Sequence, residues 1–123
     1  MSSTVDLELK KAFQELQVQV IETRGRVRQM DQQMDTLKRS CQHSRITLGQ
    51  LKEMPEQTPL YESIGRMFVR RDKQSIHQLL EDKIATNEDK CKQLSQSKTY
   101  NESKVKESEN NLRELINSKK LHQ

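Results

Sequence analysis

The chain has 123 residues, of which 31% are hydrophobic, 33% are charged and only 3% are aromatic, and its formal net charge is +4. Globular domains contain roughly 45–50% apolar residues, so this composition excludes a compact core around a buried active site, and the 3 Gly and 2 Pro exclude a turn-rich α/β enzyme. What remains is a disordered chain without periodicity or long helices that share a narrow apolar seam.

The first segment, residues 5–53, repeats apolar residues at alternating steps of four and three. An average step of about 3.5 residues keeps one stripe facing a partner helix in a left-handed coiled coil. No proline occurs before Pro55, so one long helix is predicted, with Asp6 as a candidate N-cap. The positions of this first seam are Leu9, Phe13, Leu16, Val20, Thr23, Val27, Met30, Met34, Leu37, Cys41, Ser44, Leu48 and Leu51.

The next segment, residues 58–70, contains two β-prone runs separated by Gly65 and Arg66. Glycine reaches a positive φ without penalty, which suits the first central position of a type II′ turn. The segment therefore predicts a β-hairpin in which Ile64 faces Met67.

The last segment, residues 72–120, continues the four-three rhythm, and Asp72 or Ser75 is expected to cap its helix. Asn87 and Asn101 occupy seam positions, where they either fix the register or mark a loosely packed coil. The second seam comprises Leu80, Ile84, Asn87, Cys91, Leu94, Lys98, Asn101, Val105, Ser108, Leu112 and Leu115.

The expected fold is mainly α: a long antiparallel two-helix coiled coil with a single β-hairpin between the helices, forming one domain over residues 1–123. In this arrangement Lys52 lies opposite Gln74, which places Cys41 near Ala85. Cys91 is about six residues farther on, or roughly 9 Å along the axis. Disulfides need a Cα separation of about 4.4–6.8 Å, so both cysteines are interpreted as small core residues.

The sequence offers no pattern for catalysis, a cofactor or a metal. Its three histidines, His43, His77 and His122, are far apart, and no glycine-rich phosphate loop is present. Basic residues are dispersed, which argues against nucleic acid as a partner. The longest purely apolar run is Met67 to Val69, far short of the about 20 residues of a membrane span. A cytosolic or nuclear location with reduced thiols follows as the expectation.

The hairpin carries apolar residues on both predicted faces, although a lone two-stranded hairpin is marginal in water. Its edges also leave backbone groups unpaired, and these invite another strand. We therefore expect hairpins from several chains to associate in a shared sheet or barrel. The residues assigned to this oligomerisation surface are Leu60, Tyr61, Ile64, Gly65, Met67, Phe68 and Val69.

Two stretches resemble a known family. The start of the first helix, from Val5 to Phe13, and the hairpin sequence from Tyr61 to Phe68 are similar to those of eukaryotic prefoldin subunits. The hairpin contains the Tyr-x-x-apolar-Gly-Arg-Met-Phe pattern of the beta class. The link between the helices has room for one hairpin, whereas alpha-class subunits carry two.

The resemblance implies a heterohexamer of two alpha-class and four beta-class subunits, with hairpins in a double β-barrel platform and coiled coils projecting from it. Such complexes capture unfolded actin and tubulin and pass them, without ATP, to the cytosolic group II chaperonin. A cytoplasmic location is implied, with a nuclear pool possible. Clients are expected at the coil tips, for which the tip residues here are Val5, Leu7, Leu9, Phe13, Leu112, Leu115, Ile116 and Leu121.

Two alternatives stay open at the level of sequence. Leu9, Phe13, Leu112 and Leu115 are equally compatible with pairing inside the coil. The chain as a whole is also compatible with a structural coiled-coil adaptor or tether, which predicts a parallel homodimer and no role for the hairpin.

Overall fold

In the computed structural model, residues 2–121 are described, with side chains for residues 4–118. The order of elements is α1 (Ser2–Glu53), β1 (Leu60–Ile64), β2 (Met67–Arg71) and α2 (Lys73–Leu121). Two long helices with one antiparallel hairpin between them confirm the predicted fold class.

The chain divides into two compact units. The hairpin unit is Gln33–Gln93, and the terminal unit combines α1 up to Gln32 with α2 from Leu94.

The first helix is longer at its start than the sequence predicted. It begins at Ser2 rather than at residue 5, so Asp6 lies inside the helix and its assignment as N-cap was wrong. The sequence before Val5 contains no proline or glycine that would interrupt a helix there. At the other end the helix stops at Glu53, directly before Met54 and Pro55.

The hairpin has the predicted register and turn. Ile64 pairs with Met67 and Ser63 pairs with Phe68. Gly65 has a φ of 60°, and no non-glycine residue of the described chain has a positive φ, so Arg66 does not. A positive φ at the first central position alone is the signature of a type II′ turn.

The start of α2 is held in two ways. The carboxylate of Asp72 accepts a hydrogen bond of 3.0 Å from the backbone N–H of Ser75, which confirms Asp72 as the cap. Hydrogen bonds from Ser75 hold the pKa of Asp72 below its usual value of 3.8. The Lys73 ammonium donates to the carbonyl of Met54 at 2.9 Å and so satisfies an acceptor just beyond the end of α1.

Within the hairpin unit, α1 and α2 run antiparallel in nearly the predicted register. The Cys41 thiol lies 3.7 Å from the Ile84 carbonyl, one residue from the expected neighbour. The Cys91 thiol lies 3.7 Å from the Met34 carbonyl, and both cysteines are free, as predicted. The side-chain amide of the buried Asn87 donates to the Ser40 hydroxyl at 3.3 Å.

Seam residues are buried or half-buried, with one exception in each helix: Phe13 of α1 and Leu115 of α2 are exposed. Leu115 was expected to continue the second seam, but Ile116 is half-buried in its place. Both exceptions lie in the terminal unit. There Lys98, a seam residue, donates a 2.8 Å hydrogen bond to Asp31, which raises the pKa of Lys98.

The three glycines provide a matched test of the helices and the turn. Gly25 and Gly49 lie inside α1, and a Cβ at either position has no atom within 4 Å. Gly25→Ala and Gly49→Ala are each expected to raise the free energy of unfolding by about 1 kcal/mol, because alanine favours the helix. Gly65→Ala is expected to lower it, because its φ of 60° strains an L-residue. Urea unfolding followed by circular dichroism measures all three, and a stabilising Gly65→Ala contradicts the turn assignment.

The Asp72 cap predicts a pH dependence with a definite sign. Because the folded-state pKa of Asp72 is depressed, its charged form contributes stability above the unfolded pKa, and this contribution is lost as the pH falls below about 3.8. Asp72→Ala should lower the Tm at neutral pH, whereas Asp72→Asn keeps an oxygen acceptor and should lower it less. The Tm difference between wild type and Asp72→Asn should shrink in acid. A difference independent of pH argues against the charged cap.

Candidate functional site

The hairpin presents the predicted oligomerisation residues on two faces. Alternation along the paired strands places Leu60, Ile64, Met67 and Val69 on one face, as expected. Leu60 and Val69 are half-buried there, whereas Ile64 and Met67 are exposed, as is Gly65 in the turn. This first face also carries an ion pair between Glu62 and Arg71.

The second face consists of Tyr61, Ser63, Phe68 and Arg70, all of which are exposed, and we call it the aromatic face. Tyr61 is 60% exposed and Phe68 is 73% exposed. Ser63 lies opposite Phe68, and Arg70 lies opposite Tyr61. Large apolar groups on a two-stranded sheet that no described residue covers are typical of a surface that another protein covers.

The tip residues differ in how far they are covered within the terminal unit. Leu9, Leu112 and Ile116 are half-buried, and Val5, Leu7, Phe13 and Leu115 are exposed. Leu7 is the most exposed of them, at 68%. The side chain of Leu121 lies outside the described residues.

A groove in the terminal unit joins tip residues to residues outside the predicted set. The polar part of its lining consists of Gln17, Arg24, Glu109 and Arg113. Ile21 was missed by the sequence analysis although it is 70% exposed, because it lies off the four-three seam. The sequence did contain a signal for Ile21, because it is a large apolar residue at a position of the coil that is otherwise polar. The apolar lining consists of Phe13, Leu16, Val20, Ile21 and Ile116.

Over the described part of the chain, no group of three or more His, Cys, Asp or Glu side chains is placed to hold a metal ion. Among the described helices, none has an apolar stretch long enough for a membrane crossing.

Comparison with known proteins gives a consistent result over nearly the whole chain. The profile of one family, described as "Prefoldin subunit", matches residues 14–119. "Prefoldin subunit 1" of Tetraodon nigroviridis is 45% identical over 116 residues, covering 94% of this chain and 95% of that protein. "Prefoldin subunit 1" of Homo sapiens is 43% identical with the same coverage. The Arabidopsis thaliana protein of that name is 38% identical, covering 90% of this chain and 87% of its own.

A solved structure shares the fold. The prefoldin beta subunit from Thermococcus strain KS-1 superposes with a TM-score of 0.73, covering 88% of this chain and 91% of that one. Its sequence identity is 17%, so this likeness concerns the fold alone.

Proposed function

The chain belongs to the prefoldin subunit family, and from that premise we propose that it is a beta-type subunit of a heterohexameric, ATP-independent co-chaperone. In this proposal residues 1–123 act as one beta-type domain in the cytosol, with a nuclear pool possible. The complex captures unfolded proteins such as actin and tubulin at the coil tips and delivers them to the cytosolic group II chaperonin. The chain itself carries out no catalysis.

The exposed hairpin is the observation that carries this proposal. Tyr61 and Phe68 project from the aromatic face, while Ile64 and Met67 are exposed on the other. Burying such side chains against neighbouring hairpins contributes roughly 25 cal/mol per Å² of apolar surface. A tether that acts only through its helices does not need the hairpin, whereas a sheet formed by several subunits requires it.

The tips support the second part of the proposal. Three tip residues are apolar and exposed on the helices: Leu7, Phe13 and Leu115. Because apolar contact is non-directional, these residues can contact a client whatever its sequence. Each such contact is weak. When several subunits contact one client, each further contact forms at a high effective concentration. Contacts that are weak singly therefore retain the client together.

The platform is tested by Phe68→Asp. A charge on this exposed side chain leaves the helices intact but opposes burial of the aromatic face. Co-expressed with alpha- and beta-class partners, the variant should be absent from complexes of hexamer mass in native mass spectrometry. Its helical content should equal that of the wild type. A hexamer that incorporates Phe68→Asp normally contradicts the platform.

The tips are tested by the double variant Leu7→Asp/Leu115→Asp. Both side chains are exposed, so we expect hexamer mass to be unchanged and the suppression of aggregation of denatured actin to fall several-fold, because apolar contact drives the grip. Gln14→Asp/Asn110→Asp is the matched control, since it adds one charge to each helix at exposed polar positions. Loss of assembly in the tip variant assigns these residues to structure. Equal loss of activity in the control assigns the effect to charge alone.

A further inference from the structure

Arg70 distinguishes the aromatic face from the other face of the hairpin. Its neighbours on this face, Tyr61, Ser63 and Phe68, are uncharged. On the other face the single guanidinium, Arg71, is compensated by Glu62. The aromatic face therefore presents two exposed rings and one cation.

Arg70 has no ion-pair partner among the described residues. Glu56 and Asp72 line the same surface hollow, but neither carboxylate lies within 4.0 Å of the guanidinium. The Asp72 carboxylate is already committed to the N-terminus of α2 through Ser75. Arg and Tyr are both among the residue types enriched at the energetic centre of protein interfaces.

The hairpin geometry indicates where a partner strand must lie to meet this cation. In a hairpin with a two-residue turn, the residue pair beside the turn is hydrogen-bonded across the two strands. In the next pair, and in every second pair after it, the backbone N–H and C=O groups point away from the partner strand. The pair beside the turn is Ile64 and Met67, so the backbone groups of β2 that point away from β1 belong to Phe68 and Arg70. A strand added along the edge of β2 lies about 4.8 Å from them, whereas one added along β1 lies about twice as far from Arg70.

We propose that the edge of β2 receives a β-strand of a different prefoldin subunit, one that places a carboxylate beside Arg70 on the aromatic face. This inference rests on the proposed function, because it assumes that the hairpin is the assembly surface. It adds the chemistry of the partner: an acidic strand residue flanked by apolar residues that cover Tyr61 and Phe68.

The same cation opposes self-association. Two copies of this hairpin joined edge to edge along β2 bring two Arg70 guanidiniums into one small sheet, with no carboxylate on that face of either copy. Like charges placed close together in strands destabilise the pair. Arg70 thus selects a different subunit over a second copy of this chain.

The test compares Arg70→Glu, Arg70→Gln and the control Lys90→Glu, each co-expressed with the alpha- and beta-class partner subunits. Lys90 is exposed on α2, away from the hairpin, and undergoes the same change of charge. Incorporation into hexamers, measured by native mass spectrometry, should fall about tenfold or more for Arg70→Glu and less for Arg70→Gln. Lys90→Glu should assemble as the wild type does. Replacing the hairpin carboxylates of the partner subunits by Lys, one at a time, should yield one substitution that restores Arg70→Glu.

The outcomes separate this inference from the function on which it rests. Normal incorporation of Arg70→Glu together with exclusion of Phe68→Asp overturns the role of Arg70 and leaves the platform in place. Normal incorporation of both variants overturns the platform itself. An equal loss for Lys90→Glu overturns the assignment to Arg70, because the effect then follows net charge. Failure of every partner Lys substitution to restore Arg70→Glu overturns the carboxylate partner.

Discussion

The narrow seam between α1 and α2 is the constraint on which the rest of the structure depends. With 31% hydrophobic residues, the chain can cover one stripe along each helix and little more. Among the described residues, Cys41 and Leu51 are the only buried hydrophobic ones. A seam of this width stabilises helix pairing but covers only part of the apolar surface of the chain. The apolar groups it leaves uncovered, at the hairpin and among the tip residues, are therefore the surfaces available for function.

Polar residues inside the hairpin unit limit how the two helices can pair. Asn87 is buried and donates to Ser40, so a shift of one helix along the other leaves its amide without that partner. A buried polar group without a hydrogen bond costs about 1–3 kcal/mol. Arg45 and Glu88 add a cross-helix ion pair nearby. Thus the polar seam positions reduce stability relative to leucine but favour one register of the two helices.

Local sequence rules were sufficient for the elements whose geometry is local. The turn at Gly65, the strand register and the cap at Asp72 each depend on a few neighbouring residues. The turn and the register were predicted, and the cap was limited to Asp72 or Ser75. For Phe13 and Leu115 the sequence left open whether they are exposed at the tips or paired within the coil. A heptad position shows which face a residue occupies, but it does not show how closely the partner helix approaches that residue. Ile21 was missed for a related reason: its surroundings come from a groove shared with α2.

The two uncovered surfaces have different chemistry, which suits different kinds of partner. The aromatic face is a strand surface on which Arg70 has no ion-pair partner among the described residues. A charge there discriminates among partners because a mismatched partner costs free energy. Leu7, Phe13 and Leu115 offer apolar contact on helices, and such contact carries no directional requirement. Under the proposed function the subunit chooses its neighbours but accepts many unfolded chains, and this combination needs both properties. Keeping the charge on the strand and the apolar residues among the tips lets either surface change without altering the selectivity of the other.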